Sequence, residues 1–295
     1  MIDKFQLELP HGITLSCRTA GERGKPVLVF LHGFPEAAFV WDWLLEHFAA
    51  RGWRCIAPNL RGFEQSTRPA DVKQYRAKYL VQDIAALIAS EGAPIECLIA
   101  HDWGGAVAWN LANQLPYLTR RLAIINSPHP GTFLRELKHN PKQQAASAYM
   151  NFLARPDAAQ ILREDDYRRL FEFFTKGGSA AWMTDDVKQQ YRNVWDASLE
   201  GGCSYYSASP LRPPRGDDPG AAAIDLPREA LTVDIPTLVV WAMDDVALCP
   251  ELVEGLEGYV NDLTLERVEG ASHWIIHEQP ERVAHSLANF LARPV

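Results

Sequence analysis

Asp102 is the side chain from which a chemistry can be built. It stands in Cys97-Leu98-Ile99-Ala100-His101-Asp102-Trp103-Gly104-Gly105-Ala106. There a short apolar run, Leu98 to Ala100, breaks into small residues and resumes with helical spacing at Ala106, Val107, Trp109, Asn110 and Leu111. A strand that turns straight into a helix leaves the turn residue at the carboxyl edge of a sheet, beside the free N–H groups and positive dipole end of the helix. Gly104 and Gly105 permit close packing around so sharp a turn. The pattern is that of a nucleophile elbow, usually G-x-S-x-G, with His101 at the first small position and Asp102 where serine normally stands. A carboxylate there can attack carbon, but it cannot leave an ordinary acyl-enzyme.

Two more reactive side chains follow in chain order. Asp245 comes after a strand expected to end at Trp241, and His273 after one ending at Val268. Each lies just past a strand end, where open α/β sheets place their sites. A single Asp or His in such a place is more often a cap or a satisfied loop residue. Nucleophile, acid and histidine in that order, with a Gly-rich elbow, argue for a site. Asp244 neighbours Asp245 and competes with it for the role of acid.

The elements that must position them alternate in type. Phe5-Gln6-Leu7-Glu8-Leu9 and Ile13-Thr14-Leu15-Ser16-Cys17 flank Pro10-His11-Gly12 as a hairpin. Pro26-Val27-Leu28-Val29-Phe30-Leu31 is apolar throughout, as in a strand covered on both faces. Residues 41–50 carry helical periodicity and Gly52 stops it. Further strands are read at 54–58, 98–100, 122–126, 237–241 and 263–268, with helices at 80–88 and 280–291. This rhythm predicts an α/β fold with a mostly parallel central sheet and helices on both faces. From Pro130 to about Leu231 no strand pattern occurs. Helical candidates at 143–152, 165–174 and 185–195 alternate there with Gly/Pro-rich breaks. The expected organisation is a core over 1–129, a helical insertion over 130–231 and a second core segment over 232–295.

Composition narrows the function. The chain has 295 residues and 47% apolar side chains, enough for one large core. A formal net charge of −8 argues against nucleic acid and anionic membrane surfaces as partners. Five dispersed cysteines, an N-terminus without an apolar signal core and no membrane-length apolar run lead us to expect a soluble, cytoplasmic protein. His11, His47, His129, His139, His277 and His285 have no ligand-like spacing, and no metal or organic cofactor is expected. A homodimer is allowed by the sequence and not required by it.

These residues resemble a known family. From about Pro26 to the C-terminus the chain resembles the epoxide-hydrolase and haloalkane-dehalogenase branch of the α/β-hydrolase superfamily, with an inserted helical cap. His32-Gly33-Phe34-Pro35-Glu36 is similar to its H-G-x-P element and His101-Asp102-Trp103-Gly104-Gly105 to the epoxide-hydrolase elbow. Asp245 and His273-Trp274 fall where that family keeps its acid and base, and the spacing from Trp241 to Leu248 favours Asp245 over Asp244. The resemblance implies that Asp102 forms an alkyl ester, that His273, supported by Asp245, activates the water that hydrolyses it, and that the backbone N–H groups of Phe34 and Trp103 form the oxyanion hole. Tyr149, in Ser147-Ala148-Tyr149-Met150, resembles the first cap tyrosine. Ser204-Tyr205-Tyr206-Ser207 is similar to the second cap motif and puts Tyr206 in the catalytic position. Serines replace that motif's Asn and Arg flanks, so Tyr205 stays a rival. Glu64 stands where the family has a small residue, a departure read as loop variation. Trp103, Phe152 and Trp274 are expected to line an apolar pocket.

The implied reaction is hydrolysis of a small apolar epoxide to a diol. The competing reading is a dehalogenase using the same aspartyl ester. It needs halide donors, and Glu36, at the position of the second donor, suits a departing halide poorly. A fluoroacetate-type substrate would need arginines after the nucleophile, where Trp103 and Ala106 stand. A third reading, an idle scaffold used as a binding module, conflicts with the complete set of reactive residues.

Overall fold

The computed structural model describes residues 1–176 and 180–294; 177–179, inside the segment expected to be inserted, and 295 lie outside the description. Eight strands form one sheet in the order β1-β2-β4-β3-β5-β6-β7-β8. β1 (Asp3–Glu8) and β2 (Thr14–Ala20) make the hairpin, with Phe5 opposite Cys17 and Leu7 opposite Leu15, and β2 joins β4 antiparallel. β3 (Val27–Leu31), β4 (Arg54–Pro58), β5 (Cys97–His101), β6 (Leu122–Ile125), β7 (Thr237–Ala242) and β8 (Leu263–Val268) run parallel.

The continuous apolar runs of β3 and β5 follow from their place in the middle of this sheet. Successive side chains of a strand point to opposite faces, so each run feeds two cores. Val27, Val29 and Leu31 of β3, with Leu98 and Ala100 of β5, enter one core. Leu28 and Phe30, with Cys97 and Ile99, enter the other. α2 (Ala77–Glu91) and α3 (Asp102–Gln114) cover the first face, and α1 (Asp42–Ala49) covers the second.

Between β6 and β7 the described residues hold no strand of the sheet. They form α4 (Pro130–His139), α5 (Pro141–Ala146), α6 (Tyr149–Leu153), α7 (Ala158–Thr175) and α8 (Asp185–Ala208). After β8 come α9 (Ile275–Glu278) and α10 (Pro280–Leu291), the latter packed on the second core. The expected helix at 143–152 is two short helices. The one at 165–174 starts earlier, at Ala158, and is interrupted by non-helical backbone from Glu164 to Tyr167. The one at 185–195 runs on to Ala208, broken at Ser198. His129 closes the base of this helical segment, since its Nε2 donates to the Leu231 carbonyl at 2.9 Å while Nδ1 accepts from Gly131 N–H.

Candidate active site

Asp102 has φ +49°, a left-handed conformation that costs a non-glycine residue of the order of 1–3 kcal/mol and persists only where packing enforces it. Three glycines show how. A Cβ on Gly33 would meet the Asp102 side chain at 2.3 Å, one on Gly104 the Leu31 carbonyl at 2.4 Å, and one on Gly105 the Ser127 side chain at 2.3 Å. The turn is thus wedged between the ends of β3 and β6. Ser127 Oγ donates to the Asp102 carbonyl at 2.7 Å, and Phe34 N–H donates to Asp102 Oδ1 at 2.8 Å.

His273 Nδ1 lies 2.6 Å from Asp245 Oδ2, and its Nε2 stands 3.8 Å from Asp102 Oδ2, too far for a hydrogen bond. Asp245 is buried and also accepts from Asn126 Nδ2 (2.8 Å) and from the Ala247 and Leu248 N–H groups (2.8 and 3.0 Å). Burial works against its charge, but His273 and these donors hold its pKa below the usual carboxylate value. Burial alone would lower the His273 pKa; Asp245, Asp102 and Glu36 outweigh it and push the value up to about 9. Asp244 makes none of these contacts, its backbone N–H bonding the Ala271 carbonyl.

Tyr149 of α6 and Tyr206 of α8 face each other edge to face, ring centroids 6.0 Å apart. Burial raises both phenol pKa values; the Asp102 carboxylate adds to it at Tyr149, and Tyr149 and then Asp102 at Tyr206, so both hydroxyls stay protonated. Tyr206 packs edge-on against Trp103 (5.1 Å) and Phe34 (5.3 Å). Tyr205 turns the other way, its hydroxyl donating to the Arg61 carbonyl at 2.9 Å.

A cavity of about 660 Å³ reaches Asp102. Trp103, Val107, Trp109, Phe133, Met150 and Leu248 supply apolar wall beside Tyr149 and Tyr206, while exposed Arg76, just before α2, and Lys78, in its first turn, also line it. Two expected lining residues are corrected. Phe152 does not line this cavity; it is half-buried, with the Arg155 guanidinium 5.9 Å from its ring. Trp274 is likewise absent from the wall. It is buried behind His273, ring centroids 4.8 Å apart, and donates from Nε1 to the Phe173 carbonyl.

Residues not singled out from the sequence complete the surroundings. Asn126 (φ +39°) places its amide between Asp245 and the Ala242 N–H. Its signal was legible in type, since Asn tolerates the left-handed region after a strand better than most residues. Fully buried Glu36 accepts from His277 Nε2 (2.6 Å), His101 Nδ1 (3.1 Å) and Tyr191 of α8 (3.1 Å). Burial opposes the Glu36 charge, but the two histidines hold its pKa well below the usual range. His101 spans from Glu36 to the His273 carbonyl (2.9 Å), so it is a strut and not merely a small elbow residue.

A family model described as the alpha/beta hydrolase fold matches residues 26–280. The chain belongs to this family. The AB hydrolase superfamily protein YfhM of Bacillus subtilis (strain 168) is 33% identical, over 98% of this chain and 98% of its own. Human epoxide hydrolase 4 is 30% identical, over 95% of this chain and 76% of its own length. A solved structure described among novel epoxide hydrolases from metagenomes of hot environments matches with a TM-score of 0.89 at 35% identity, covering 100% of both chains. Within the family the chain therefore stands with the epoxide hydrolases, and it is an enzyme.

Proposed function

We propose that the enzyme hydrolyses a small apolar epoxide to a diol through an ester on Asp102. Asp102 Oδ2 attacks an epoxide carbon, and the ring C–O bond breaks. Tyr149 and Tyr206 donate hydrogen bonds to the alkoxide formed, which takes a proton from one of these phenols; the phenol regains it when the carboxylic acid regenerated on Asp102 by hydrolysis ionises. The observation that carries this reading is the pair of buried phenols that face each other and line the same cavity as Asp102. An alkyl halide forms no alkoxide when the aspartate attacks, so it gains little from this pair. Glu36, ionised and already engaged by His101, His277 and Tyr191, offers a halide nothing.

Water then attacks the ester carbonyl. His273, supported by Asp245 as the 2.6 Å contact favours, takes its proton; the tetrahedral intermediate then collapses, the bond between Cγ and the substrate-bearing oxygen breaks, and the imidazolium returns the proton to the departing diol. Asp102 Oδ1, which accepts from Phe34 N–H, becomes the oxyanion. Trp103 N–H, in the first turn of α3 and without an intrahelical acceptor, is the second donor. Esterification also removes the Asp102 charge that helps keep His273 protonated, so the base is freed once the ester exists. The segment 130–231 serves as the cap, supplying both tyrosines. Five free cysteines suit a reducing, cytoplasmic setting, and no described helix is long and apolar enough to cross a membrane.

The test is a trapped intermediate. His273→Gln mixed with styrene oxide or 1,2-epoxyoctane should accumulate an adduct on the peptide that contains Asp102, detected by mass spectrometry. An adduct on a serine or cysteine peptide would overturn the assignment.

A further inference from the structure

The loop after β4 touches α8 more intimately than packing alone requires. A Cβ on Gly201 would meet the Gly62 carbonyl at 1.9 Å, and one on Gly202 the Phe34 ring at 2.7 Å. On either side of this glycine seat α8 hydrogen-bonds the loop backbone. Ser198 Oγ donates to the Gly62 carbonyl at 2.5 Å and Tyr205 to the Arg61 carbonyl at 2.9 Å. The two donors stand seven positions apart and reach neighbouring carbonyls of the same loop. Tyr206, one residue on, is rotated by about 100° and projects toward Trp103 and Tyr149.

The loop itself is braced. Arg61 is buried, and its guanidinium pairs with Asp83 through two 2.6 Å contacts and donates to the Gln74 and Tyr79 carbonyls. His11 Nε2 also meets Asp83, at 2.7 Å from Oδ1. The first half of α8 rests elsewhere, on Pro35 through Trp195 and on Glu36 through Tyr191. The helix breaks at Ser198, where one support gives way to the next.

We propose that Tyr205 and Ser198 are positioning residues, clasping the second half of α8 to the Arg61–Gly62 backbone and so fixing the distance from the Tyr206 hydroxyl to the oxygen of the opening epoxide. This rests on Tyr206 acting as a donor in ring opening. A backbone carbonyl whose own side chain is locked in a buried ion pair is a stiff rest. A misplacement of about 1 Å of a catalytic group can cost a hundredfold in rate.

The experiment is a double-mutant cycle on single-turnover alkylation, followed by tryptophan fluorescence. The probe is whichever of styrene oxide and 1,2-epoxyoctane alkylates the wild type faster. Tyr205→Phe should slow alkylation by about tenfold to a hundredfold. In the Tyr206→Phe background the same change should cost less than about twofold, because a donor already absent cannot be misplaced. Losses that multiply, or a Tyr205→Phe rate equal to wild type despite a lowered Tm, would reduce Tyr205 to a packing residue and overturn the proposal. Should Tyr205→Phe fail to fold, Ser198→Ala takes its place in the same cycle, with a loss in the same direction expected. An unaltered rate for Tyr206→Phe alone would instead refute the donor role beneath it, a failure the cycle separates from the first.

Discussion

Replacing Asp102 by asparagine removes one negative charge 3.8 Å from His273 Nε2 while keeping the shape of the side chain. Unit charges at that distance interact by about 4 kcal/mol at an effective dielectric constant near 20, equivalent to roughly three pH units in the histidine. Asp102 keeps 15% of its side chain in contact with water, so solvent screens part of this and about half is the realistic effect. The imidazole should therefore fall from about 9 by roughly 1.5 pH units in Asp102→Asn. The sign follows from the charge: an anion favours the imidazolium, and its loss favours the neutral base. Formation of the ester removes the same charge, so the mutant reports on the free-base state that the second step requires. The measurement is a ¹⁵N imidazole titration between pH 5 and 10, on freshly purified protein checked by mass for deamidation. A His273 midpoint that stays near that of the wild type would refute the idea that ester formation arms the base.

Tyr149→Phe and Tyr206→Phe should each slow epoxide alkylation by roughly tenfold to a thousandfold in single-turnover kinetics, with far smaller effects on any alkyl-halide reaction; equal losses on both would leave them as pocket wall. The His273 pKa is raised from its ordinary 6.5 to about 9, so its contribution to stability is complete below pH 6.5 and lost as pH rises through 9. Urea unfolding should therefore show wild type losing up to ~3 kcal/mol more than His273→Gln across that window, and parallel slopes would contradict this. Gly33→Ala puts a Cβ 2.3 Å from Asp102 Oδ1 and should lower kcat by about a hundredfold while circular dichroism stays native-like; a normal rate would mean the turn relaxes freely.

Much of the fold was legible because burial on both faces writes strands as unbroken apolar runs, as in β3 and β5. The elbow announced itself through Gly104 and Gly105, whose contacts with Leu31 and Ser127 leave no room for larger residues. What escaped was set by tertiary contact. The helix read at 185–195 runs on through Gly201 and Gly202, whose missing side chains leave the space that the loop at Gly62 occupies. Tyr206 was set ahead of its neighbour Tyr205 by likeness to a motif alone, because the Arg61 carbonyl that the Tyr205 hydroxyl meets comes from a distant loop. Glu36 was weighed only as a poor halide neighbour, since its partners His101, His277 and Tyr191 come from three distant stretches. Phe152 and Trp274 had the right chemistry for a pocket but are held elsewhere, one beside Arg155 and the other by the Phe173 carbonyl, contacts that composition does not record.

The central claim is that Asp102 carries the substrate as an ester whose carbonyl is attacked by water. One turnover in H₂¹⁸O, with enzyme in excess over epoxide, tests it most directly. The diol should then take its new oxygen from the Asp102 carboxylate and carry no label, while the tryptic peptide containing Asp102 gains one ¹⁸O. Label in the diol and none in that peptide would mean that water opens the epoxide directly, and the ester account would be wrong.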